Sequence, residues 1–137
     1  MTMPAPLQLY VHIPFCVHKC HYCDFNSHER TEPAWADYES ALIAELKYWA
    51  DTPSFNGRTL STIFIGGGTP SLAPPALIKA IIDAASSSCG IDDAAEISME
   101  ANPGSADADR FVAYRQAGIN RLSIGVQSFN DKELHWL

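Results

Sequence analysis

The stretch Leu60-Ser61-Thr62-Ile63-Phe64-Ile65-Gly66-Gly67-Gly68-Thr69-Pro70 runs from a β-rich segment straight into three glycines and a Thr-Pro step. Leu60 to Ile65 predicts a strand, and the glycines that end it predict a loop. A helix is expected next, beginning near Pro74 or Pro75, carrying Leu77, Ile78, Ile81 and Ile82 at helical spacing and stopping at Gly90. Ala95 to Met99 then reads as another strand, with Glu100 at its end. Strand, helix and strand joined by short links make a parallel βαβ unit with a right-handed crossover.

The alternation extends both ways along the chain. Leu7 to Ile13 is a β-rich run stopped by Pro14, and a helix is expected from about Pro33 to Trp49, where Ala41, Leu42, Glu45, Leu46 and Trp49 recur at three and four residues. On the other side, a helix from about Asp107 to Ala117, closed by Gly118, leads to a strand over Ile119 to Ile124 and then to Gly125-Val126-Gln127-Ser128. Asn130 and Glu133 stand at the separation of a helix N-terminal capping pair. The fold class is α/β, with parallel strands, helices outside and four βα units visible. Every loop that follows a strand then opens on one rim, where α/β barrels bind their ligands.

That rim is rich in chemistry. After the first strand comes Phe15-Cys16-Val17-His18-Lys19-Cys20-His21-Tyr22-Cys23-Asp24-Phe25, which places three thiols at a C-x3-C-x2-C spacing. Three thiolates on so short a tether can converge on one small inorganic core, and a four-iron cluster held this way keeps one iron open. An oxidised framework does not fit an odd group of three in a chain without a secretory signal. Zinc is the competing reading, since His12, His18, His21 or His28 could complete a Cys3His set. Cys89, next to Gly90, reads as a small buried hydrophobe.

The other rim features each have a plain reading beside a functional one. The glycine triplet is either a tight turn or a place where absent side chains let a charged amino-acid ligand reach the backbone. Glu100 is either a solvated strand end or an acceptor for hydroxyl or ammonium groups. Gln127 has an amide that both donates and accepts, and Tyr10 reads on its own as a packed strand aromatic. Four chemically distinctive features in four successive strand-to-helix loops describe one site.

Composition narrows the function class. With 137 residues, 47% of them apolar, the chain can bury one ordinary core. A formal charge of −7 with scattered Lys and Arg offers no basic face to phosphates, which argues against a nucleic-acid partner. Met1-Thr2-Met3-Pro4-Ala5-Pro6 has neither a positive start nor an apolar core of a leader, and no apolar run is long enough to span a bilayer. The expectation is a cytoplasmic protein, where reducing conditions keep thiols available for metal.

Tyr10-Val11-His12-Ile13-Pro14-Phe15-Cys16, Gly66-Gly67-Gly68-Thr69-Pro70, Glu100-Ala101-Asn102-Pro103 and Gly125-Val126-Gln127-Ser128-Phe129, in that order, resemble the oxygen-independent coproporphyrinogen III oxidase family of radical S-adenosylmethionine (SAM) proteins, which includes the haem chaperones. The resemblance implies that Cys16, Cys20 and Cys23 bind a [4Fe-4S] cluster whose open iron is chelated by the amino and carboxylate groups of SAM. It also implies a SAM pocket built from Tyr10, Gly67, Gly68, Thr69 and Glu100, with Tyr22 and Gln127 near it, and an electron donor for the cluster. The fold it implies is a partial (β/α)6 barrel. Residues 1–137 would be its N-terminal part, with the remaining barrel and a C-terminal domain lying beyond. An incomplete sheet leaves the fourth strand with an unpaired edge, so a chain ending at Leu137 is expected to associate.

One position departs from the oxidase pattern. The oxidases carry a further cysteine two positions after the last cluster cysteine, and this chain has Phe25 there, followed by Asn26. Phenylalanine at that place is typical of the haem-chaperone branch, whose members bind haem and pass it to acceptor proteins. The resemblance therefore implies a haem chaperone, with catalysis left open. The alternative is an oxidoreductase converting coproporphyrinogen III to protoporphyrinogen IX, and a zinc-bound scaffold without catalysis is the reading from a different class.

Overall fold

A computed structural model describes residues 5–105 and 107–137. Strand β1 (Leu7–Ile13) is followed by two short strands, β2 (Phe15–Cys16) and β3 (His28–Glu29), then by helix α1 (Trp35–Ala50) and strand β4 (Leu60–Gly67). A 3-10 turn (Pro70–Leu72) leads into α2 (Pro75–Cys89), β5 (Ile91–Ala101), α3 (Ala108–Ala117), β6 (Arg121–Ile124) and α4 (Asp131–Trp136). The main sheet has the order β1-β4-β5-β6, and each neighbouring pair is parallel. Strand order follows chain order, so the C-terminal ends of all four strands open on the rim that the sequence predicts.

Side chains alternate along a strand, and here the two faces are unlike. Val11, Ile13, Ile63, Ile65, Ile97 and Met99 close against Leu77, Ile78 and Ile81 of α2 and Tyr114 of α3 to form the buried core. Removing each such aliphatic chain from water stabilises the fold by about 1.5–3 kcal/mol. The opposite face carries Tyr10 stacked on Phe64, with ring centroids 6.1 Å apart, and beside them Ser98, whose hydroxyl donates to Glu96 at 2.7 Å. Parallel sheets are ordinarily apolar on both faces. A polar inner face therefore marks where a ligand is to be met rather than where a core is to be packed.

The helices end where the sequence says they should. Gly90 leaves α2 at φ 76° and Gly118 leaves α3 at φ 118°, conformations that a Cβ disfavours. Asp107 caps α3 by accepting from the Arg110 N–H at 2.9 Å. The capping pair at α4 is corrected in part. Asn130 accepts from the Lys132 N–H at 2.9 Å as expected, but the Glu133 carboxylate goes to the Ser128 hydroxyl, and Ser128 Oγ accepts the Asn130 N–H at 3.0 Å. β5 begins at Ile91 rather than Ala95, because Ile91 pairs with Leu60 across a register shift that leaves Asp92 and Asp93 irregular and exposed. Among the described residues no helix is long and apolar enough to cross a membrane.

Candidate metal centre

Cys16 is buried at the end of β2, whereas Cys20 and Cys23 are partly exposed on the loop that runs to β3; all three are free thiols. β2 and β3 pair Phe15 with His28 and Cys16 with Glu29, a parallel clip that closes the loop at its base. The His28 N–H donates to Pro14 O at 2.7 Å and the Arg30 N–H to Cys16 O at 2.9 Å. Two-residue strands carry no periodicity, so this clip had no signal in the sequence.

Within the loop the Cys23 N–H donates to Cys20 O at 3.0 Å, a tight turn. Lys19 ties the rest together. Its Nζ donates to the carbonyls of Phe25 at 3.1 Å and Ser27 at 3.4 Å, and its N–H donates at 3.2 Å to the Glu29 carboxylate, which also faces His18 Nδ1 at 3.2 Å. The intervening carbonyl, Asn26 O, lies 2.7 Å from His12 Nε2. A carbonyl can only accept, so Nε2 carries the proton and Nδ1 accepts from the Tyr10 hydroxyl at 2.9 Å. Three successive carbonyls are thus held from outside their own turn.

The glycine loop docks directly on the cysteine loop. The Gly68 N–H donates to Ile13 O at 2.7 Å, the Thr69 N–H to Phe15 O at 2.8 Å, and the Thr69 hydroxyl to Cys16 Sγ at 3.5 Å. A Cβ at Gly68 would stand 2.8 Å from Cys16 Sγ, and one at Gly67, where φ is 119°, would stand 2.6 Å from Ile13 O. The close approach of β4 to β1 and to the buried thiol by itself requires glycine at Gly67 and Gly68. Glu100 Oε2 accepts from the Gly67 N–H at 3.1 Å, which joins the strand-end carboxylate to this loop.

Tyr10 is not a core aromatic: it is 57% exposed, on the inner face of the sheet. Burial, and then the Glu100 charge, push its phenol up. The Tyr22 phenol is pushed up chiefly by its hydrogen bond to Cys20, with burial second. Gln127 has φ 60°, the only positive φ at a non-glycine among the described residues. That conformation costs a side-chain-bearing residue about 1–2 kcal/mol, and such strain concentrates at functional sites. From behind, the buried Tyr114 hydroxyl reaches Ser71 O at 2.8 Å and Ala73 O at 2.7 Å, and Arg110 Nη2 donates to Leu72 O at 2.7 Å. These supports of the turn after the glycine loop were missed; helical spacing marks Tyr114 as inward-facing but says nothing of its hydroxyl.

Among the described residues no three His, Cys, Asp or Glu side chains already stand close enough to hold one ion. A cluster would have to draw Cys20 and Cys23 toward the anchored Cys16. The donor set fits it: three thiols, one already accepting a hydroxyl proton and another beside a phenol, all on a loop clipped at its base. A Cys3His zinc set fits less well. His12 has both ring nitrogens engaged, His18 faces Glu29, and the His21 ring lies edge-on between Tyr22 and Trp136 at 5.6 and 5.2 Å. His28 is exposed in the clip. Cys89 is partly buried against the core, and burial pushes its thiol up.

Residues 10–137 match the family model of the radical SAM superfamily. The chain belongs to the radical SAM superfamily. Its radical SAM relatives include a protein of Escherichia coli (strain K12) named "Heme chaperone HemW", 50% identical over 98% of this chain and 35% of that one. Another is the "Radical S-adenosyl methionine domain-containing protein 1, mitochondrial" of Bos taurus, 38% identical over 98% of this chain and 31% of that one. The solved radical SAM enzyme coproporphyrinogen III oxidase (HemN) from Escherichia coli superposes with a TM-score of 0.85 at 37% identity, over 95% of this chain and 30% of its own. The parallel α/β sheet described above is thus part of a radical SAM barrel. The chain spans about a third of the length of these relatives.

Proposed function

We propose that this chain binds a [4Fe-4S] cluster through Cys16, Cys20 and Cys23 and holds SAM against Tyr10, Gly67, Gly68, Thr69 and Glu100, with Tyr22 and Gln127 at the edge of the pocket, in a protein that binds haem and delivers it to acceptor proteins. The observation that carries this is the docking of one loop on the other: Thr69 Oγ1 meets Cys16 Sγ and Glu100 meets the Gly67 N–H. The groups offered to SAM and the thiols offered to iron are thereby parts of a single rim. Cys16, Cys20 and Cys23 would hold the cluster, which with an external electron donor would supply one-electron reducing chemistry to SAM. The chain's own part is positional and electrostatic. Glu100 offers a carboxylate to an ammonium or a ribose hydroxyl, and Gln127 offers an amide that both donates and accepts. A reducing cytoplasmic setting suits three reduced thiols.

The haem reading draws support from Phe25, which puts a phenyl ring where the oxidase branch has a thiol, and from two relatives, 50% and 46% identical, that are named haem chaperones. The oxidase reading draws support from the structural neighbour. Anaerobic reconstitution of the full-length protein decides the first point. About four irons per chain, lost in Cys16→Ala, Cys20→Ala and Cys23→Ala but kept in Cys89→Ala, is the expected result; full iron content in any of the first three would remove that cysteine from the ligand set. A haem titration beside an anaerobic assay with SAM, reductant and coproporphyrinogen decides the second. Steady decarboxylation without haem binding would move the chain to the oxidase branch.

A further inference from the structure

His12 stands where the sheet and the two loops meet. It is half-buried near the end of β1, in register with Gly66 of β4, and a Cβ at Gly67 would lie 3.0 Å from its Cε1 and Nδ1. The imidazole therefore rests against the glycine loop, while the Tyr38 hydroxyl of α1 holds the His12 carbonyl. Each ring nitrogen serves a different part of the site. Nε2 donates to Asn26 O of the cysteine loop at 2.7 Å, and Nδ1 accepts from the Tyr10 hydroxyl at 2.9 Å. A Cβ at Gly66 would stand 3.1 Å from both the Tyr10 ring and the Glu100 carboxylate, so the phenol and the acid border one space.

These two bonds are not independent. A neutral imidazole has one ring proton, and the bond made by one nitrogen sets the role of the other. With the Nε2 proton given to Asn26 O, Nδ1 must accept; the Tyr10 proton then points at His12, and the phenolic oxygen keeps only acceptor capacity for a ligand. Without the Tyr10 hydroxyl the Nδ1–H tautomer gains in population. In that tautomer Nε2 turns a lone pair toward a carbonyl oxygen, and the two repel. Among the described residues Tyr10 makes no hydrogen bond to the cysteine loop, so His12 is its hydrogen-bonded connection to that loop.

We infer that His12 is a positioning residue that couples Tyr10 to the cysteine loop through the tautomer of its ring; this rests on the assignment above of Tyr10 to SAM and of Cys16, Cys20 and Cys23 to the cluster. Such coupling is reciprocal. A ligand that steadies Tyr10 steadies residues 25–28 by the same factor, and a closed loop fixes the direction of the Tyr10 proton.

The test uses the full-length, anaerobically reconstituted protein, with amide exchange of residues 25–28 and SAM calorimetry as readouts. A hydrogen bond between neutral groups corresponds to about twofold to tenfold. Tyr10→Phe removes no bond made by the loop itself, yet it should speed exchange at residues 25–28 by about twofold to tenfold. His12→Asn keeps an acceptor for Tyr10 but is too short to reach Asn26 O. It should speed exchange at least as much and weaken SAM binding, and adding Tyr10→Phe to it should speed exchange no further. His12→Gln is long enough to donate to Asn26 O and should restore part of the protection. Unchanged exchange in Tyr10→Phe, or the same increment from Tyr10→Phe in the His12→Asn background as in wild type, would overturn the proposal and leave the cluster and SAM reading standing. Equal exchange in His12→Asn and His12→Gln would make the ring a packing group only, which also overturns it. Should His12→Asn not fold, Tyr10→Phe decides alone. Wild-type protein that takes up iron but binds no SAM would end the SAM reading and this proposal with it.

Discussion

At Gly68 the absence of one methyl group decides whether the buried thiol keeps its place. A Cβ there would meet both Cys16 Sγ and Phe15 O at 2.8 Å, and neither the buried sulfur nor the paired backbone can retreat. Gly68→Ala should therefore lower iron per chain after reconstitution, while Gly104→Ala, with nothing within 4 Å, should not; equal iron in both would show that this contact does not fix Cys16. Gln127 gives a second prediction at this scale. Gln127→Gly relieves the φ of 60° and should raise stability by about 1 kcal/mol while weakening SAM binding by calorimetry. A third concerns Tyr38, whose hydroxyl donates to His12 O and whose phenol burial pushes up to about 12. The folded state favours the neutral phenol, while the unfolded one ionises near 10. Stability from this group is thus complete below pH 10 and is lost as pH rises toward 12, by about 1–2 kcal/mol once solvent screening is discounted. Denaturant midpoints between roughly pH 9 and 11.5 should fall more steeply for wild type than for Tyr38→Phe; identical slopes would remove Tyr38 from the account.

The cysteine loop is an element without regular structure, and its shape comes from cross-links. The β2–β3 clip closes its base, and Lys19 and His12 hold the carbonyls of Phe25, Asn26 and Ser27. Lys19→Met keeps the aliphatic stem and removes the ammonium, at a cost of about 1–3 kcal/mol of local order if both charged hydrogen bonds matter. Faster amide exchange at residues 25–28 and quicker loss of iron to a chelator are the expected readouts. Unchanged exchange would mean that the clip alone sets the loop. On the opposite side, α3 braces the turn after the glycine loop through Tyr114 and Arg110, so the thiols and the glycines are each steadied by an element distant in sequence.

For the whole molecule, both ends of the sheet order, β1 and β6, are edges. A groove of about 800 Å³ runs along β1 against α1, lined by Leu9, Leu42, Leu46 and Trp49 among others, and reaches Asn26 and His28 at the end of the cysteine loop. Near the other edge Phe129 is 94% exposed and Trp136 72%. Unpaired edges beside apolar surface favour pairing between chains. The 137-residue chain in isolation is therefore expected to associate with rising concentration, as followed by light scattering. A monodisperse monomer with one cooperative unfolding transition would contradict this.

The βα alternation, the rim and the order of motifs around it were legible in the sequence because they depend on local rules. Apolar periodicity, proline and glycine positions, and the short spacing of Cys16, Cys20 and Cys23 each act within a few residues. The cap at Asn130 was legible only in half, since a serine two residues upstream took the glutamate. The Phe15–Cys16 clip with His28–Glu29, the Lys19 and His12 cross-links, the clash that forbids a Cβ at Gly68, and the contact of Arg121 with Ser98 were decided by tertiary structure alone. Each joins atoms from segments between 6 and 53 residues apart. No local preference encodes such a meeting, because it exists only once the buried faces of the strands and helices have fixed where every loop emerges.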